Sequence, residues 1–95
     1  MGYDYEARDL AWQRVAREML AARRAGDTRA EAMVLAEALH CDAAIDALEN
    51  GTGAEEVVEV VARMLRVMLL RQEPSGYKRL QDEGAIVHDG RFPAE

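Results

Sequence analysis

The sequence predicts an all-α chain: a three-helix antiparallel bundle with a short fourth helical turn and an extended C-terminal tail, assembled as a dimer. Three observations carry this. The 95 residues include 17 Ala and 11 Arg but only two Pro, and Ala gives up no side-chain entropy in a helix while Arg gives up little. Apolar residues recur at three- and four-residue spacing in three segments divided by Gly-containing breaks, the period of a helix face. The last of these segments, Val57 to Leu70 (VVEVVARMLRVMLL), has 11 apolar residues in 14. Projected at 100° per residue, its large apolar side chains span about 220°, whereas a surface helix needs a stripe little wider than 100°.

The first helix is expected over 4–25. Tyr5, Trp12, Val15, Ala16, Met19 and Ala22 share one face, with Arg14, Arg17 and Arg24 opposite. Gly26 ends it, as a residue free to adopt positive φ does. Asp27 and Thr28 then offer N-cap oxygens, and Thr28 with Glu31 has the spacing of a capping box. A second helix is expected as one continuous element over 29–49. Val34, Ala38, Cys41, Ile45 and Leu48 form its apolar seam, and Glu31, Asp42, Asp46 and Glu49 flank it. Asn50-Gly51 closes it, and Thr52 with Glu55 repeats the capping-box spacing.

The third helix is expected over 53–72, where Glu59, Arg63, Arg66 and Glu73 fall in one narrow polar strip. Pro74-Ser75-Gly76 is read as its stop. Tyr77–Asp82 then makes one or two helical turns before Gly84. The segment AIVHDGRFPAE has a short β-like run and an Asp-Gly turn, too little for a sheet of its own. The domain division is therefore a helical bundle over 1–76 and a docking tail over 77–95. Tyr77, Ile86, Val87 and Phe92 are expected to pack on the helices, on a second chain or on a partner.

A 95-residue chain has little material to cover so apolar a third helix. Burying a large aliphatic side chain is worth roughly 1.5–3 kcal/mol. Leaving half of about ten exposed forgoes on the order of 10 kcal/mol, comparable to a whole domain's stability. A homodimer is therefore expected, with Val57, Val58, Val61, Met64, Leu65, Met68 and Leu69 at its interface.

The net charge of −6 is unevenly spread. Residues 1–29 and 63–95 each carry six basic and five acidic groups, while 30–62 carry eight acidic groups and no Lys or Arg. Phosphate contacts need cations, so nucleic acid is not the expected partner of this middle segment. A basic protein is, through Asp42, Asp46, Glu49, Glu55, Glu56 and Glu59. Arg14, Arg17, Arg23, Arg24 and Arg29 form a local basic patch without interleaved aromatic side chains to stack bases.

Cys41 is the single cysteine, which excludes an internal disulfide and suits a reducing, cytoplasmic setting. The stretch MGYDYEARDL is charged from residue 4 and lacks a signal-peptide core. Glu6 breaks the N-myristoylation pattern. Residues 57–70 are too short and too charged to span a bilayer, so no membrane is expected.

Glu37-Ala38-Leu39-His40 is a Glu-x-x-His, a spacing that puts a carboxylate and an imidazole on one helix face, as in di-iron bundles. Such centres need a second pair and two further Glu, so a metal-binding module through Glu37 and His40 is an alternative rather than the leading reading, and no cofactor is expected. His40 and Cys41 are adjacent on a helix and point about 100° apart, which does not suit a base and its nucleophile. Ser75 and His88 suggest nothing beyond their presence.

Leu35–Val67, LAEALHCDAAIDALENGTGAEEVVEVVARMLRV, resembles the helix-turn-helix core of Cro/C1-type repressors. The LAEAL opening, the Ile45/Leu48 spacing, Glu49-Asn50-Gly51 and the apolar helix that follows carry the likeness. It implies a turn at His40, where the family usually has Gly, and a recognition helix over Cys41–Leu48. That stretch holds Asp42 and Asp46 and no basic or amide side chain, so it is not equipped for phosphate or base contacts. A DNA-binding regulator with a degenerate helix-turn-helix is a second alternative. The leading expectation is a small non-enzymatic protein–protein interaction module, a regulator, adaptor or inhibitor, acting as a homodimer with an acidic surface.

Overall fold

In the computed structural model, which describes residues 5–51 and 54–86, five helices follow one another and no strand occurs among the described residues. They are α1 (Tyr5–Arg24), α2 (Thr28–Ala38), α3 (Asp42–Asn50), α4 (Glu55–Gln72) and α5 (Pro74–Asp82). The chain is all-α as its composition predicts, but it has five helices rather than three and a turn.

Gly26 ends α1 with φ 72°. The Asp27 N–H reaches back to the Ala22 carbonyl at 2.9 Å and Gly26 N–H to that of Arg23 at 3.0 Å, the bonds of a Schellman closure. The cap of α2 is Asp27 rather than Thr28: its carboxylate accepts from the Ala30 N–H at 3.0 Å.

The continuous helix expected over 29–49 is broken at 39–41. His40 takes φ 53°, the Cys41 N–H donates to the Ala36 carbonyl at 3.0 Å, and the His40 N–H to that of Glu37 at 3.1 Å. These are the bonds seen at Gly26, here with a β-carbon in the left-handed region at a cost of about 1–2 kcal/mol. What holds the break is tertiary. The turn lets Ala44 and Leu48 of α3 enter the core, and the Arg29 guanidinium donates to the carbonyls of Leu48 and, at 3.2 Å, of Gly51. A cation there satisfies carbonyls that α3 leaves open and complements its negative end.

The cap of α4 is Ala54, without a side-chain bond; the capping box expected from Thr52 lies outside the described residues. Glu73 is both the C-cap of α4 and the N-cap of α5. Pro74 occupies the first turn of α5, where its missing N–H costs nothing. Pro74-Ser75-Gly76, expected as a stop and a separator, therefore opens a nine-residue helix.

That helix carries the expected docking tail into the core. Tyr77, Leu80, Ala85 and Ile86 are buried in one cluster with Trp12, Met19, Leu35, Leu48, Leu65 and Leu69. Of the three docking sites expected for the tail, residues 77–86 use the helices of their own chain; Val87 and Phe92 lie outside the described residues.

Helix α1 packs on α2 and α5, and α4 packs on α2, α3 and α5. Gly76 allows the close approach of α5 to α1: a β-carbon there would stand 2.6–2.9 Å from three atoms of the Trp12 indole. Around this contact Arg79 grips both oxygens of Asp9 at 2.8 and 2.9 Å, Arg8 pairs with Glu73, and Gln13 reaches Glu83 at 3.3 Å. The Asp9 hydrogen bonds chiefly hold the Arg79 guanidinium above its ordinary pKa.

Candidate functional site

Helix α4 has two apolar faces. Projected at 100° per residue, Val58, Val61, Leu65 and Leu69 fall within about 80° of one another, and all four are buried against their own chain, Leu65 and Leu69 at 0% exposure. Val57, Val60, Met64, Val67 and Met68 occupy a second arc of about 100°. Val60 is 64% exposed, Met64 42% and Val57 36%, while Val67 and Met68 are half-buried. Along this outer arc Val57, Val60, Met64, Val67 and Arg71 alternate spacings of three and four, which is the seam of a coiled coil.

This sorts the seven residues expected at a dimer interface. Val58, Val61, Leu65 and Leu69 are buried in the core of their own chain, where α4 packs on α2, α3 and α5. Val57, Met64 and Met68 lie on the outer strip. Val60, which is not among the seven, is the most exposed large apolar side chain among the described residues. A 220° arc tells that one chain cannot cover the whole helix, but not which part it covers.

Of the acidic residues of α4, Glu56 flanks this strip, while Glu55 and Glu59 lie on the side of the helix that faces the α2 cleft. Asp42, Asp46 and Glu49 stand at i, i+4 and i+7 on α3, and Glu55, Glu56 and Glu59 on the first turns of α4; all six are exposed. The end of α3 abuts the strip, since a β-carbon on Gly51 would stand 3.1 Å from Cγ1 of Val57. Glu31 is different: Arg23 holds it at 2.5 and 3.3 Å. The charges of α4 are segregated, with Glu55, Glu56 and Glu59 at its start and Arg63, Arg66 and Arg71 over its last ten residues. Of these, Arg66 is held below its ordinary pKa, chiefly by burial.

Two residues of the expected basic patch are engaged inside the fold. Arg23 binds Glu31 and donates to the Ala85 carbonyl at 2.7 Å, and Arg29 caps α3. The bonds of Arg23 to the Ala85 carbonyl and of Arg29 to the end of α3 join segments distant in the chain, which no local sequence pattern records. An open cleft of about 390 Å³ runs beside Thr28 and Arg29 of α2 and Glu55, Val58 and Glu59 of α4. Its one guanidinium is Arg29, already committed to carbonyls of α3.

Glu37 and His40 do not share a helix face, because α2 ends at Ala38 and His40 lies in the left-handed turn. Among the described residues no group of three or more His, Cys, Asp or Glu side chains is placed to hold a metal ion. Helix α2, the turn at His40 and α3 follow the order that the repressor resemblance implies. The exposed side chains of the second helix are Asp42, Ala43, Asp46, Glu49 and Asn50, a surface that repels phosphate.

No protein-family model, no curated protein and no solved structure matches this chain. Among the described residues no helix is long and apolar enough to cross a membrane.

Proposed function

We propose that this chain is a non-enzymatic protein–protein interaction module that pairs with a second copy through the outer face of α4 and offers the acidic face of α3 to a basic partner. The observation that supports this reading is the strip from Val57 to Met68. It is as apolar as the buried side of the same helix, yet among the described residues Val57, Val60 and Met64 on it stay exposed. Contiguous apolar surface of this kind marks interaction sites. The carboxylates of Asp42, Asp46, Glu49, Glu55, Glu56 and Glu59 stay exposed, and exposed charge steers encounter and selects partners more than it adds affinity.

Sedimentation equilibrium at micromolar concentration tests the proposal. The expected result is a dimer for the unaltered chain and a folded monomer for Val60→Glu or Met64→Glu, since each places a charge in the desolvated seam while leaving the core untouched. An unaltered chain that sediments as a stable 10.6 kDa monomer contradicts it.

A further inference from the structure

We infer that the two copies pack antiparallel along the outer faces of α4, with the two-fold axis beside Met64 and Glu56 of each chain next to the partner's Arg71. This inference rests on the proposed self-association and adds its geometry. Two features of α4 decide the direction. The outer strip alternates three and four residues from Val57 through Val60, Met64 and Val67 to Arg71, so it reads as a seam in either direction. Its charges do not: the glutamates stand at the start of α4 and the arginines toward its end.

In a parallel pair, Glu56 would face the partner's Glu56, and two Arg71 guanidiniums would meet at a seam position. Like charges brought together in a closing interface oppose association. Reversing one helix about Met64 removes both conflicts. Met64 then meets the partner's Met64, and Val60 meets the partner's Met68. Val57 lies under the aliphatic stem of the partner's Arg71, whose guanidinium reaches Glu56, with the acidic α3 nearby; long basic side chains cover apolar surface in this way. The helix dipoles also oppose each other in this arrangement. As a consequence, the two acidic α3 helices stand toward opposite ends of the seam, so one dimer presents two separate surfaces to basic partners.

Disulfide trapping reads the direction. In a Cys41→Ser background, where serine suits the N-cap that Cys41 occupies, three exposed positions are replaced singly: Val57→Cys, Met64→Cys and Arg71→Cys. Under mild oxidation Met64→Cys should link to itself. Val57→Cys and Arg71→Cys should link to each other when mixed and not to themselves. Rapid self-linking of Val57→Cys would mean a parallel pair and overturn the inference while leaving the interaction module standing. No linking by any variant, with a monomer in sedimentation, would overturn both.

Charge reversal gives a second readout without cysteine. Glu56→Arg should weaken dimerisation about tenfold, as expected when two symmetry-related exposed ion pairs are lost. Adding Arg71→Glu to the same chain should restore it. The two positions are about 22 Å apart along one helix, so rescue requires contact between chains, and failure of rescue counts against the antiparallel arrangement.

Discussion

The inner and outer faces of α4 both carry large apolar side chains and meet opposite fates. Leu65 and Leu69 are completely covered, while Val60 is 64% and Met64 42% exposed. Side-chain hydrophobicity does not separate the two faces; what the rest of the chain brings to each does. Helices α2, α3 and α5 close over the inner face, and nothing among the described residues closes over the outer one. An apolar helix thus says how much surface must be covered, while the connections before and after it say which surface the chain covers for itself.

The most damaging way to test this contrast is to remove a cover. Truncation after Glu73 takes Tyr77, Leu80 and Ile86 out of the core. At roughly 1.5–3 kcal/mol for each large side chain, the loss approaches the 5–15 kcal/mol that stabilises a typical domain. The cooperative melting transition in circular dichroism should disappear. A truncated chain that keeps its midpoint within a few degrees would restore the expected domain boundary near residue 76.

A smaller perturbation compares neighbours on the two faces. Leu65→Ala should cost about 2–5 kcal/mol, a buried leucine replaced by a cavity, and the cost in urea unfolding should not depend on protein concentration. Met64→Ala should cost stability only where the dimer is populated, because that loss acts by mass action. Equal, concentration-independent losses would mean that both faces belong to one monomer core.

Gly76→Ala probes how α5 reaches its place. Alanine in a helix is normally favoured over glycine by up to about 1 kcal/mol. Here its β-carbon would press on the Trp12 indole, and overpacking costs typically 1–3 kcal/mol. A net loss of stability is expected, and a gain would show that α5 can move off α1 cheaply.

The smallest effect concerns α3. His40→Gly relieves a left-handed residue worth about 1–2 kcal/mol but loosens the unfolded chain by about 0.4–1 kcal/mol. A net gain below about 1 kcal/mol should raise the melting midpoint by a few degrees. A lower midpoint would mean that the histidine side chain contributes more than its backbone costs.

How much of this was legible follows from which forces are local. The ends of α1 and α4 and the turn at Gly26 could be read from periodicity and from glycine, because both act within a few residues. The break at His40 could not be read from periodicity. The apolar seam runs through it without a phase change, and a left-handed residue with a β-carbon carries no compositional signal; only the repressor resemblance placed a turn there. Helix α5 was misjudged because Pro74 stops a helix and starts one equally well. At the candidate site the excess of apolar surface was plain, and the six exposed carboxylates were named from the sequence. The division between Val61 and Leu65 inside and Val60 and Met64 outside depends on where α2, α3 and α5 come to rest, which no local pattern records.

The contact between α1 and α5 has a consequence for how the chain is made. Trp12, Ala16 and Met19 are synthesised some sixty residues before Gly76, Tyr77 and Leu80, which complete their surroundings. Drawing together segments so far apart costs chain entropy before any contact rewards it. Until α5 has been made, α2 can pack on α1 but the side of the Trp12 indole that meets Gly76 stays uncovered. A chaperone that recognises exposed apolar helix has its opportunity on α1 during that interval.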